Sequence, residues 1–87
     1  MPKRTKRYKN PKLLKEFGQH CQTIREAKGY SIDRMAREGE QLSKGTIHRL
    51  ETGTGDIQFT ALYRYAKTLQ IPMKRLFEIS ILENIED

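Results

Sequence analysis

Ser43-Lys44-Gly45-Thr46-Ile47-His48-Arg49-Leu50-Glu51-Thr52-Gly53 carries its own helix start and stop signals. Ser43 suits the N-cap, where a hydroxyl accepts from an unpaired amide of the first turn. Gly53 suits the left-handed position that commonly ends a helix. Ile47 and Leu50, three apart, share one face and can anchor the segment to a core. Lys44, Gly45, Thr46, His48 and Arg49 lie on the outer face, which holds no large apolar residue. A helix that enters a DNA major groove needs this division: small and polar groups at its N-terminus, an apolar anchor behind.

Outward from this helix, read as 44–52, the punctuation continues on both sides. Upstream, Ser31 caps a short helix over 32–38, with Met35 and Ala36 inward and Gly39 ending it. Gly39-Glu40-Gln41-Leu42 forms the turn between the two helices, with Leu42 pointing back to the core. Further upstream, Asn10-Pro11 opens a helix over 11–28, in which Leu14, Phe17, Cys21 and Ile24 make one face. Downstream, Gly53-Thr54-Gly55-Asp56 is a loop. A helix follows over 58–70, with Phe59, Leu62, Tyr63, Ala66 and Leu69 on one face. Ile71-Pro72 breaks it, and a fifth segment puts Leu76 and Phe77 inward. No alternating strand pattern appears, so the expectation is an all-α fold of five short helices. The organisation expected is a disordered basic arm over 1–10, a domain over 11–78, and an acidic tail or helix extension over 79–87.

Composition bounds the function. The chain has 87 residues, 36% of them hydrophobic, enough for one small core. A large enzyme is excluded and a deep substrate pocket is not expected. There is one cysteine, so no intrachain disulfide forms, and a reducing, aqueous compartment is expected. With two histidines besides, unclustered, no metal site has three credible ligands, and no cofactor is expected. No apolar run approaches the roughly 20 residues that span a bilayer, and the first ten residues lack the apolar stretch of a signal peptide. The formal net charge is +6, unevenly spread. Lys3, Arg4, Lys6, Arg7, Lys9, Lys12 and Lys15 give the first 15 residues a charge of +7, while residues 78–87 carry −4. A basic arm on a basic domain suits a polyanion, although a solvated tail, an import signal or an anionic membrane contact fits the arm alone. Tyr8 is its only amphipathic anchor, which disfavours the membrane.

From Cys21 to Phe77 the chain resembles the Cro/C1-type (XRE) helix-turn-helix domain of phage and bacterial repressors. The resemblance is carried by Ile24-Arg25, Gly29-Tyr30-Ser31, Met35-Ala36, Leu42-Ser43 and Thr46-Ile47-His48-Arg49-Leu50-Glu51-Thr52-Gly53. Phe59, Leu62, Ala66 and Leu69, then Leu76-Phe77, complete it. It implies a compact lambda-repressor-like domain with the helix-turn-helix at helices 2 and 3. Four features depart from the pattern: Ile32 where glutamine is frequent, a turn about one residue longer around Glu40-Gln41, Ile57 where proline is frequent, and Asp56 where a phosphate would approach.

The resemblance implies base contacts from Lys44, Gly45, Thr46, His48 and Arg49. Lys44 and Arg49 suit guanine, and Gly45 would permit close approach of the helix. Thr46 suits a thymine methyl or a phosphate, and His48 either a base or a phosphate. Phosphate contacts are expected from Ser43, Thr52, Gly53, Thr54 and Gly55. The arm residues Lys3, Arg4, Lys6, Arg7 and Lys9 would add phosphate or minor-groove contacts. The resemblance also implies a partly buried structural ion pair between Arg25 and Glu51. Tyr30, Tyr63 and Tyr65 are expected at the core edge or in an interface, and Cys21 as a small buried apolar residue. The expected activity is that of a sequence-specific regulator of double-stranded DNA, a repressor, dimeric on a palindromic operator, in the bacterial cytoplasm and associated with the nucleoid when bound. Ile79, Ile81, Leu82 and Ile85 are candidates for the dimer contact. Two alternatives stay open: an antitoxin that also masks a protein partner through the acidic tail, and a protein-interaction module on a helix-turn-helix scaffold.

Overall fold

A computed structural model describes residues 10–83. It contains α1 (Pro11–Ala27), α2 (Ile32–Glu38), α3 (Lys44–Thr52), α4 (Phe59–Leu69), a 3-10 helix (Met73–Phe77) and a single-turn α5 (Ser80–Glu83). There is no strand among the described residues. The capping signals do what their chemistry requires. The Asn10 side chain accepts from the Leu13 amide at 3.1 Å, Ser31 from the Arg34 amide at 3.0 Å, and Ser43 from the Thr46 amide at 3.1 Å. The basic arm expected over 1–10 lies, except for Asn10, outside the described residues, as does Ile85.

The core is built from Phe17, Cys21 and Ile24 of α1, Met35 of α2, Leu42 of the turn, Ile47 and Leu50 of α3, Leu62, Tyr65, Ala66 and Leu69 of α4, and Leu76. Burial of these side chains, each stabilising by roughly 1.5–3 kcal/mol when large and apolar, holds helices too short to persist alone. The single apolar face expected for α4 and the inward placement of Phe77 are corrected. Phe59 is 70% exposed, Tyr63 49% and Phe77 38%. The buried stripe of α4 runs through Leu62, Tyr65, Ala66 and Leu69, so Phe59 and Tyr63 fall on its flank. Phe77 lies at the rim, with its ring 5.6 Å from that of Phe17. Tyr65, expected at an edge, is wholly buried. The fifth segment is a 3-10 helix followed by the single turn of α5.

Two glycines set how α1 and α3 cross. A Cβ on Gly18 would fall 2.5 Å from the Leu50 carbonyl oxygen and closer still to that of Glu51. Gly53 ends α3 with φ 73°, and a Cβ there would lie 2.8 Å from backbone atoms of Leu14 and Lys15. The end of α3 is thus pressed onto the backbone of α1 at two points.

Gln70 ends α4 in the left-handed region, φ 60° and ψ 45°, with its own amide bonded to Lys67 and that of Ile71 to Ala66. A Cβ in that conformation costs about 1–2 kcal/mol, partly offset by the greater freedom a glycine gives the unfolded chain. Gln70→Gly is therefore expected to stabilise the domain by about 0.5–1 kcal/mol. Urea unfolding checks this; a lower midpoint would contradict it.

Candidate nucleic-acid interface

The outer face of α3 is laid out as its sequence implies. Ile47 and Leu50 are buried beneath it, while Lys44, Gly45, His48 and Arg49 are exposed and Thr46 is half-buried. The Ser43 hydroxyl caps the helix and also bonds the Thr46 hydroxyl at 3.0 Å, so these two side chains form one unit at the start of α3. Nothing in the fold demands glycine at position 45. A Cβ there would meet only the Arg49 guanidinium at 3.6 Å and the Ser43 hydroxyl at 3.9 Å, both ordinary contacts.

Thr46 and Arg49 line a shallow concavity of about 180 Å³ with Leu50, Asp56, Ile57, Gln58 and Ala61, between α3 and the start of α4. Asp56, the acid that departs from the family pattern, shares this hollow with Arg49. At the other end, Thr52 donates to the His48 carbonyl at 2.8 Å, and its hydroxyl lies 2.8 Å from that of Thr54. Thr52 has one proton, already placed, so Thr54 is the donor to Thr52. The amides of Gly53 and Thr54 both point at the Arg49 carbonyl and close the helix. Among the loop groups considered for phosphate, the exposed Gly55 is the one set apart from this cap. Lys3, Arg4, Lys6, Arg7 and Lys9 lie outside the described residues.

The ion pair implied by the resemblance is present and larger than expected. Arg25 Nε and Nη2 donate to the two oxygens of Glu51 at 2.7 and 3.0 Å, and Nη1 donates to the Tyr30 carbonyl at 2.7 Å. The Tyr65 hydroxyl bonds the Glu51 carboxylate as well and sits 3.1 Å from the Cys21 carbonyl oxygen. The hydrogen bond that Arg25 donates to Glu51 raises its guanidinium above the ordinary value, while burial and then Glu51 raise the Tyr65 hydroxyl. Burial, followed by the Glu51 charge, pushes the Cys21 thiol up to about 12, so it is held as the unreactive thiol. This cluster lies behind α3 and fixes its last turn to α1 and α4.

One contact on the front of the domain has no counterpart in the sequence reading. Lys44 Nζ of α3 lies 2.8 Å from Asp33 Oδ1 of α2. The Asp33 carboxyl is held below its ordinary value by that hydrogen bond and by the Lys44 charge. Residues 33 and 44 meet only because of the angle between the two helices, which no local sequence signal encodes.

Two helices joined by a short turn, the second exposed along its N-terminal half and anchored behind, define a helix-turn-helix domain. The family comparison agrees: the chain belongs to the helix-turn-helix family of the Cro/C1 (XRE) type, whose model matches residues 22–76, more than half of its length. That is nearly the whole stretch from Cys21 to Phe77. Among solved structures, the restriction-modification controller protein C.AhdI from Aeromonas hydrophila is similar, with a TM-score of 0.70 and 27% identity over 76% of this chain and 98% of that one. No curated protein sequence matches the chain. The family makes this a DNA-binding protein of transcription regulation. Among the described residues, no helix is long and apolar enough to cross a membrane.

Proposed function

We propose that the chain is a sequence-specific regulator that reads the major groove with α3 and binds a palindromic operator as a homodimer, acting as a repressor in the bacterial cytoplasm. The observation that carries the reading is the exposed N-terminal half of α3, with Lys44, Gly45, His48 and Arg49 outward over the buried anchors Ile47 and Leu50. Lys44 and Arg49 would contact guanine and Thr46 and His48 the neighbouring edges or phosphates, with further phosphate contacts around Ser43, Thr52 and Gly55. The exposed Phe59, Tyr63 and Phe77, beside the half-buried Ile79 and Leu82, support a second copy as the partner of the α4–α5 side. The likeness to a restriction-modification controller makes genes of that kind the first place to seek the operator.

Selection of bound sites from a random duplex library at near-physiological salt tests the reading. The expected result is a palindrome whose half-sites lie about one helical turn apart. Binding that is salt-labile and enriches no sequence would overturn it and favour an interaction module.

Gly45→Ala separates groove approach from mere tolerance of glycine. Alanine is about 1 kcal/mol better inside a helix, and the fold has room for its methyl group. The variant is expected to melt a few degrees higher while binding the selected operator more weakly. Unchanged affinity in a titration with that operator would mean that this face of α3 does not lie against base edges.

A further inference from the structure

We propose that Asp33 and Lys44 together read one G·C base pair, Lys44 donating to the guanine and Asp33 accepting from the cytosine. The inference rests on the reading that α3 enters the major groove, and it assigns to α2 a role in specificity.

The argument is one of matched spacing. On the major-groove edge of a G·C pair, guanine presents N7 and O6 as acceptors, and cytosine presents its N4 amino group as a donor. O6 and N4 are bonded to each other across the pair, so they lie about 2.9 Å apart. Lys44 Nζ and Asp33 Oδ1 are 2.8 Å apart and offer the opposite chemistry, a donor beside an acceptor. An ammonium has three protons. One goes to Asp33, and two remain for N7 and O6, while the carboxylate keeps lone pairs for the N4 amino hydrogen. On an A·T pair, thymine O4 and adenine N6 set an acceptor beside a donor at the same spacing, so the two side chains satisfy two groups there. The second lysine proton then meets the thymine methyl side instead of an N7, and G·C is favoured by that third hydrogen bond. Both side chains are about two-thirds exposed, so each is accessible to a base.

The pair also explains what Lys44 would not do. An ammonium already matched by a carboxylate is a poor phosphate ligand, because the pair adds no net charge to release counterions. Asp33 further repels phosphate from the start of α2. Lys44 is thereby turned from a backbone contact into a base contact, and Asp33 is what turns it.

The test compares site selections by the wild-type protein, Asp33→Ala and Lys44→Ala, each followed by salt titration of the best site. The exposed positions make wild-type-like melting the expected control. The wild type should show one G·C column in each half-site that weakens in both variants. In Asp33→Ala the preference at that column should fall about tenfold, with the remaining columns kept. Lys44→Ala should leave the salt slope unchanged. Asp33→Ala frees an ammonium for phosphate and should steepen it by about 0.9. An Asp33→Ala selection identical to wild type, with uniformly tighter binding, would overturn the proposal and leave Asp33 a simple repelling charge. A column of A·T in the wild type would overturn it too. Enrichment of no sequence by the wild type would bring down the groove reading itself, a different and separately visible result.

Discussion

Gly18→Ala is expected to lower the melting temperature of this domain by roughly 10 °C or more, in the opposite direction from what helix propensity implies. Position 18 is inside α1, where alanine is about 1 kcal/mol better than glycine in an isolated helix. The packing reverses the sign. The added Cβ would sit 2.5 Å from the Leu50 carbonyl oxygen and nearer still to that of Glu51. Both obstacles are backbone atoms of α3, which cannot rotate away as a flexible side chain would. Relief requires α1 and α3 to separate, yet Gly53 holds the end of α3 against Leu14 and Lys15 one turn away. Overpacking of this kind costs about 1–3 kcal/mol and occasionally more, and a rigid obstacle on one side with a second tight contact beside it argues for the upper part of that range. Even after the propensity gain, a net loss of about 2 kcal/mol shifts the midpoint of a domain this small by about 8–16 °C. Thermal unfolding followed by circular dichroism checks it, and a melting point at or above wild type would show that the helices can separate freely. Because α3 would move with the crossing, operator affinity of the folded fraction should fall as well.

Gly18 was invisible to sequence reasoning, and the reason is general to this fold. Local chemistry is legible: Asn10, Ser31 and Ser43 each mark a helix start because a side-chain oxygen must meet a free amide, and each does so within the same chain segment. The inward faces of α1 and α3 follow from periodicity alone. In α4 periodicity gave too wide a stripe, since Phe59 and Tyr63 are apolar enough to be inside and Tyr65 carries a hydroxyl that argues for the edge. Tyr65 is inside because Glu51, brought from α3, receives its hydroxyl. A buried polar group is legible only with its partner, and the partner is set by tertiary packing. The Asp33–Lys44 contact and the Gly18 crossing belong to the same class. On the candidate DNA face, the exposure of Lys44, Gly45, His48 and Arg49 over Ile47 and Leu50 was legible from a single helix, and what restrains Lys44 was not. The Arg25–Glu51 pair stood between: spacing does not imply it, and the family resemblance did.

That pair carries the largest effect expected from a single substitution. Arg25→Ala removes three donated hydrogen bonds at once, two to Glu51 and one to the Tyr30 carbonyl. Glu51 is 5% exposed, so its carboxylate would stay buried with the Tyr65 hydroxyl as its remaining hydrogen-bond donor. Breaking one side of a buried pair costs about 3–5 kcal/mol, against about 4–13 kcal/mol for the total stability of a chain of this length. Arg25→Ala should therefore be largely unfolded or melt far below wild type, and lose DNA binding for that reason. Arg25→Lys should not rescue it, because a lysine cannot place two parallel donors on one carboxylate. The informative variant replaces both partners, Arg25→Met with Glu51→Leu. No charge is then stranded, and the Tyr65 proton can turn to the Cys21 carbonyl, already 3.1 Å away. The Tyr30 carbonyl is only part-buried, so water can take the place of Arg25 Nη1 there. The double variant should consequently recover much of the stability that Arg25→Ala loses, as measured by urea unfolding. Wild-type-like melting of Arg25→Ala would refute the structural role of the pair. A double variant as unstable as the single one would show instead that the specific bidentate geometry, and not the avoidance of a stranded charge, holds the end of α3 in place.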